Sequence, residues 1–274
     1  VLAGPKNCDK SLFQDIVTEL LGGRTGRPFS YMSGKTDFNS ELFGAEHLVI
    51  ADENSNRDMN SRRLFGSRIK DYTVNTSMHC HGKFREALTL TPCQRLTISL
   101  NDEDDNLLIL PPIDESLSDK IILLKIYIPE FPLDSSGVVN RQSLWETIKD
   151  ELPGLIHHIE QFKIPPKLRD SRFGLTGFQH PILMEALEEL NPEGKLLALI
   201  DHHLLDQKKT WEGTTTELES ELLDYYSDCR RRAEKIIKST PETRTYLMHL
   251  KKKHPNRIST RESNGKSLWV IRQP

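Results

Sequence analysis

Gly4, Lys10 and Ser11 keep the spacing of a phosphate-binding loop, G-x-x-x-x-G-K-[ST], within the opening stretch Val1-Leu-Ala-Gly-Pro-Lys-Asn-Cys-Asp-Lys-Ser11. That spacing serves to capture a nucleoside triphosphate. Backbone N–H groups of the loop and of the first helical turn point at phosphate oxygens, Lys10 reaches the β- and γ-phosphates, and the Ser11 hydroxyl holds Mg²⁺. One position departs from the pattern. Where the second glycine belongs the chain has Asp9, which enters a left-handed conformation more easily than most residues but brings a carboxylate towards the phosphates.

A second chemical element is the acidic pair Asp52-Glu53, which ends the apolar run Leu48 to Ala51. Such a run reads as a buried parallel strand. In a nucleotide hydrolase the first acid at this place holds Mg²⁺ and the second polarises the attacking water, which makes the pair a Walker B motif. A third strand, Arg95-Leu-Thr-Ile-Ser-Leu-Asn101, ends in an amide. On the strand beside the phosphate loop, Asn101 is placed to hydrogen-bond the γ-phosphate or the lytic water, the role called sensor 1; the plainer reading is an Asn that starts a turn with Asp102.

Leu12, Phe13, Ile16, Val17, Leu20 and Leu21 recur at helical spacing and Gly22-Gly23 supplies the stop, so a helix starts at the phosphate loop. Phe38 to Phe43 predicts a short helix ahead of the acidic strand. Ser61 to Lys70 predicts a helix ringed by Arg62, Arg63, Arg68 and Lys70, and Tyr72 to Leu90 alternates like a hairpin.

Gly4-Pro5-x-Asn7-x-x-Lys10-Ser11, then Asp52-Glu53, then Pro92 ahead of the strand closing on Asn101, resemble superfamily 3 helicases of the AAA+ class, and more narrowly the primase-helicase proteins of phages, plasmids and large DNA viruses. The resemblance covers roughly residues 1 to 135. It implies an α/β AAA+ P-loop NTPase core that binds ATP and Mg²⁺, assembles as a homo-hexamer and moves along single-stranded or forked DNA. Nucleotide contacts then fall to Gly4, Asn7, Asp9, Lys10 and Ser11, Mg²⁺ to Ser11 and Asp52, and catalysis to Glu53 and Asn101. The same family projects a hairpin into the ring channel, which marks His81, Lys83 and Arg85 for DNA, Lys83 first. It also completes each site with an arginine from the neighbouring subunit just before a strand like Asp119 to Pro129. Lys125 and, less well, Lys120 stand there, and a point charge lacks the bidentate fork of Arg.

The length, 274 residues with 36% hydrophobic, suits one large or two modest domains with a real core. No run of eighteen apolar residues occurs, so no membrane span is expected. The chain opens on Val1 inside a motif, which marks it as the later part of a longer protein, with a collar and often a primase upstream in this family. Cys8, Cys80, Cys93 and Cys229 lack paired spacing, which argues for a reducing, cytoplasmic setting and against disulfides or zinc. Within His79-Cys80-His81 neighbouring residues of a strand face opposite ways, which is unsuited to one metal ion.

Residues 136–206 read as a helical lid, with Leu144, Trp145, Ile148, Leu152, Leu155, Ile156 and Ile159 on one face. Arg169 and Arg172 are surface or nucleotide-reaching arginines of that region. Residues 207–274 carry fifteen Lys and Arg against nine Asp and Glu, a net of +6 on a chain whose total is −3. Three predicted helices, Thr215 to Tyr226, Arg231 to Ile237 and Thr240 to Lys253, precede two strands around Asn264-Gly265. That order looks like a winged helix-turn-helix, with Lys251, Lys252, Lys253, Arg261 and Lys266 facing DNA, or a winged helix that contacts protein. The whole reads as a helicase motor; the alternatives are a decayed AAA+ scaffold, a helicase loader or a phage-defence ATPase.

Overall fold

Five short parallel strands build the sheet that carries the Gly4–Ser11 loop. In a computed structural model describing residues 1–51, 59–128, 141–206, 208–225, 227, 229–263 and 265–274, the sheet runs β2-β3-β6-β1-β7. Its strands are β1 (Leu2–Gly4), β2 (Thr25–Gly26), β3 (His47–Ala51), β6 (Arg95–Asn101) and β7 (Leu124–Lys125). Every pairing in it is parallel. The apolar runs follow from this, because a parallel strand is covered on both faces: Ala3, Leu48, Ile50, Ile98 and Leu100 are all buried.

The crossovers are helical. Helix α1 (Lys10–Leu20) follows β1 and α2 (Phe29–Met32) follows β2; α3 (Met59–Val74) lies between β3 and β6, with a separate antiparallel hairpin of β4 (Met78–Cys80) and β5 (Leu88–Leu90). Helix α1 stops as expected at Gly22 and Gly23, whose φ values of 106° and 86° belong to the left-handed region. The predicted helix near Phe38 is a single 3₁₀ turn, Ser40–Gly44. Short α4 (Asp104–Leu107) leaves the tip of β6, and α5 (Arg141–Gln161) is a 21-residue helix with Pro153 inside it. Of the face of α5 expected to meet a core, Leu144, Trp145, Ile148 and Leu152 are half-buried and the last turns are open, with Leu155, Ile156 and Ile159 at 39%, 42% and 52% exposure.

The chain divides into two compact units, Val1–Met184 and Glu185–Pro274, with α6 (Pro181–Leu190) crossing the division. The second unit contains α7 (Pro192–Leu199), a π turn at Ile200–Leu204, β8 (Thr210–Gly213), α8 (Thr215–Leu222), α9 (Arg230–Ile236), α10 (Thr240–Lys253), β9 (Ile258–Ser263) and β10 (Lys266–Arg272). Leu196, Ile200 and Leu205 share one buried cluster with Trp211, Leu218, Leu222, Leu247, Ile258 and Trp269, so the helices before residue 207 belong to the same core as the segment after it. The three strands form an antiparallel sheet in the order β8-β10-β9. Strand β8 carries no alternation strong enough to be legible in sequence, and it exists because Trp211 is drawn into that core, 3% exposed. Helix α8 starts with a full capping box, in which Thr214 accepts from the Glu217 N–H and the Glu217 carboxylate accepts from the Thr214 N–H. That second bond holds the Glu217 carboxyl below its ordinary range. No helix among the described residues is long and apolar enough to cross a membrane.

Candidate functional site

The Gly4–Ser11 loop begins where β1 has no room for a side chain. A Cβ on Gly4 would stand 2.3 Å from the Ile126 carbonyl oxygen, because Ile126 N–H donates to Ala3 O at 2.7 Å and draws the neighbouring strand in. Beyond Pro5 the chain bends through two left-handed residues, Asn7 (φ 60°) and Asp9 (φ 54°). Asp9 therefore adopts the backbone that the pattern's glycine would supply, more easily than most residues, for which a Cβ there costs roughly 1–2 kcal/mol. It stands at the N-cap of α1, where its side chain makes no capping hydrogen bond, and the first turn contains no acid. The N–H groups of that turn are thus not capped by a side chain, which is what an anion site requires.

Lys10 is buried at the start of α1, and its Nζ donates to Pro5 O (2.7 Å), Gly4 O (3.1 Å) and Asn101 Oδ1 (3.2 Å), with Cys8 Sγ at 3.4 Å. The bond to Asn101 joins the phosphate loop to the tip of the next strand, since β6 pairs directly with β1 and Gly4 is opposite Asn101. An open cavity of about 970 Å³ faces this junction, lined by Asn7, Asp9, Lys10, Ser11, Asn101 and others including Leu144 and Trp145. Its size matches that of small-molecule sites in general. Ser11, Lys10 and the loop fit a Mg²⁺–triphosphate group by donor chemistry, with a hydroxyl, an ammonium and backbone amides converging on one space.

Behind the loop lies a buried polar network that the sequence reading missed. Gln14, 2% exposed, donates to Ile50 O (3.3 Å) and Thr97 Oγ1 (2.9 Å) and accepts from Ser99 Oγ (3.0 Å). Thr18 donates to Gln14 O, so it must accept from His47 Nδ1 at 2.7 Å, and His47 Nε2 then accepts from Thr97 at 2.8 Å. Burial pushes the His47 pKa down, against a weaker upward pull from Asp15. The signal was present in sequence as a helix whose i, i+4 polar pair, Lys10 and Gln14, interrupts the apolar stripe; in the fold that pair is the buried one and Phe13 is 48% exposed.

The remaining predicted residues fall in several places. Asp52 and Glu53 lie outside the described residues, although β3 leads into them and its last residue, Ala51, pairs with Ser99. Lys125 is on edge strand β7 opposite Ala3, its Nζ 5.9 Å from the Tyr127 ring centre. Lys120 is a packed residue, bonded to Asp119 (2.5 Å) and Ser116 O (2.8 Å), which holds the Asp119 carboxyl below its usual range. Arg169 donates to Ile164 O, and Arg172 lies 3.6 Å from Asp119. On α3, Arg62 and Arg68 are buried: Arg62 donates to Leu110 O, and Arg68 pairs with Asp37 and stacks over Tyr31. These two arginines hold the unit together and are withdrawn from any surface role.

Lys83 and Arg85 are exposed in the loop between β4 and β5, whereas the His81 ring packs against Phe38 at 5.0 Å. In the second unit part of the basic charge is answered locally. Lys253 pairs with Glu188 (2.9 Å), Arg257 with Asp201 (2.5 Å), Arg261 with Glu212, and His249 Nδ1 lies 3.1 Å from Glu193; Lys251 donates to Thr260. Over the whole unit Glu185–Pro274 sixteen Lys and Arg meet fifteen Asp and Glu, a net of +1, because the acids just before residue 207 belong to it.

Residues 2–114, which include the loop, the hairpin and Asn101, match a family described only as of unknown function, DUF5906. No curated protein matches. Among solved structures, the apo structure of the NrS-1 C-terminal region is similar over 100% of this chain at 12% sequence identity, with a TM-score of 0.53. An A-form apo structure of that region is similar over the same extent at 10% identity, with a TM-score of 0.49. The chain spans 66% of the length of each of those chains. At such identity the first of these likenesses establishes a shared fold: mixed α/β, with a parallel sheet flanked by helices in the manner of a P-loop core.

Proposed function

We propose that this chain is the ATP-driven motor part of a superfamily 3-like DNA helicase, serving replication of a phage, plasmid or other mobile element. The observation that carries the reading is the Lys10–Asn101 bond at the mouth of a 970 Å³ cavity, where a phosphate loop and the tip of the adjoining parallel strand meet. In this reading Lys10 leaves its carbonyl partners for the phosphates when Mg-ATP binds. The loop amides and Ser11 take the remaining oxygens and the metal with Asp52, Glu53 polarises the attacking water, and Asn101 follows the γ-phosphate. Helix α5 serves as the lid. The α8–α10 helices with the β8-β10-β9 sheet serve as a winged helix-turn-helix, its DNA face reduced to residues such as Lys252 and Lys266. Chains assemble as a homo-hexamer around single-stranded or forked DNA, with Lys125 reaching a neighbour's site and a primase upstream.

Turnover of Mg-ATP, measured with and without single-stranded DNA beside Lys10→Ala and Glu53→Gln, tests this. Hydrolysis stimulated by DNA, absent in Lys10→Ala, with Glu53→Gln binding ATP but not hydrolysing it, is the expected result. Failure of the parent protein to bind nucleotide at high protein concentration would overturn the reading in favour of a scaffold with a decayed site.

A further inference from the structure

The loop between β4 and β5 is closed by a four-residue turn whose sequence does not suit it. Arg85 N–H donates to Gly82 O at 3.2 Å, and the third turn residue, Phe84, has φ 58°. A positive φ at that position is the mark of a type II turn, which selects Gly or Asn. A phenylalanine there is strained, and the ring gains no burial in return, since Phe84 is 94% exposed. The turn is nevertheless held rigidly from below. Asn39 donates through Nδ2 to His79 O (2.9 Å) and accepts from His81 N–H (2.7 Å). The backbone N–H groups of Asn39 and Ser40 both donate to His81 O. A Cβ on Gly82 would stand 3.2 Å from Ser40 Oγ, so the base of the loop is also tightly packed.

An aromatic ring kept in a strained backbone, fully exposed, and flanked by exposed Lys83 and Arg85 is the arrangement of a stacking platform between two phosphate contacts. We propose that Phe84 is a base-stacking residue for single-stranded nucleic acid, with Lys83 and Arg85 holding the phosphates on either side of the stacked base. Lys83 Nζ lies 5.3 Å from the ring centre, so one face is shared with a cation while the other is open to a base. Between β4 and β5 the loop carries Lys83 and Arg85 against one acid, Glu86, and the two cations flank the ring directly, which favours a polyanion over a protein surface as the occupant. The inference deepens the helicase reading, which assigns only phosphate contacts to this hairpin.

The test is equilibrium binding of a fluorescein-labelled oligo(dT) to the full chain, with a non-hydrolysable ATP analogue and Mg²⁺ present, across a series of salt concentrations. Phe84→Ala weakens binding about ten-fold and leaves the salt dependence unchanged, because stacking releases no counterions. Lys83→Ala makes the salt dependence shallower, by roughly 0.7 in the log–log slope for a single strand. Phe84→Trp retains affinity. Phe84→Gly separates stacking from structure: glycine relaxes the turn, so that variant is at least as stable as the parent in a thermal melt and still binds weakly. Parent-like affinity in Phe84→Ala or Phe84→Gly overturns the proposal, and if Lys83→Ala with Arg85→Ala still loses binding, the hairpin's role in DNA contact survives without it. A parent protein that does not bind oligo(dT) overturns the stacking proposal, and ATP turnover then decides the motor reading separately.

Discussion

Asp9 is the residue on which the chemistry of the phosphate loop turns. Its left-handed backbone answers the conformational half of the glycine requirement, and its charge leaves the electrostatic half unanswered, since a carboxylate beside a triphosphate repels it. The two halves separate by substitution. Asp9→Asn keeps the side-chain shape and the tolerance of positive φ while removing the charge, so Mg-ATP should bind several-fold more tightly by calorimetric titration. Asp9→Ala removes the charge and imposes the full Cβ penalty, about 1 kcal/mol or more, so its gain in affinity should be offset by a lower unfolding midpoint. Equal affinities for the parent and Asp9→Asn would mean that the loop holds the carboxylate away from the phosphates, and the departure from the motif would then be functionally silent. The place of Lys10 at the start of α1, by contrast, was legible from spacing alone, because the G-x-x-x-x-G-K-[ST] pattern puts its lysine at the head of a helix. Phe84 was not, because nothing in a sequence marks a phenylalanine that will be forced to positive φ.

At the scale of elements, three of them meet through hydrogen bonds that apolar patterning cannot show. Helix α1 supplies Gln14 and Thr18, β3 supplies His47 and the Ile50 carbonyl, and β6 supplies Thr97 and Ser99. Strands β3 and β6 were legible as apolar runs, and the start and stop of α1 from Lys10 and Gly22-Gly23. The orientation of α1 was not, because the buried contact is polar and periodicity counts only apolar residues. The network has a definite proton arrangement, with His47 neutral, its Nδ1–H given to Thr18 and its Nε2 receiving the Thr97 hydroxyl. Protonation would put a second N–H against a hydroxyl already used as a donor. Because the folded-state pKa of His47 lies below its ordinary 6.5, owing to burial, the unfolded chain takes up a proton first as pH falls. Stability contributed by the neutral imidazole is therefore intact above about pH 6.5 and lost progressively below it, towards the folded pKa, by up to roughly 1.4 kcal/mol per pH unit. Urea midpoints between pH 8 and pH 5 should fall more steeply for the parent than for His47→Gln, whose amide can bond both threonines without titrating. Parallel curves would show that His47 is not the group responsible.

For the molecule as a whole, the division into Val1–Met184 and Glu185–Pro274 changes what the charge of the C-terminal segment means. Sequence alone puts +6 on residues 207–274, but the acids Glu188, Glu193 and Asp201, which precede that segment, fold into the same unit and face Lys253, His249 and Arg257. Composition sees a basic tail attached to an acidic body, whereas the fold makes a nearly neutral unit with its own core around Leu196, Leu218, Leu247 and Trp269. Two consequences follow for residues 181–274, which include all of α6. They should fold alone, giving a single cooperative thermal transition by circular dichroism, because the buried cluster is drawn entirely from this segment. Their binding to duplex DNA should also be weak and shallow in salt. With a unit charge of only +1 and Lys253, Arg257 and Arg261 held by acids, a log–log slope of about −2 to −3 is expected, well short of a slope reflecting every basic residue of the segment. Replacing Glu188 and Asp201 together by Gln and Asn releases Lys253 and Arg257 and should steepen that slope by close to two. A parent slope already near the value for all sixteen cations, unchanged by the double substitution, would mean that the ion pairs open on contact with DNA and that the segment acts as the basic surface its composition describes.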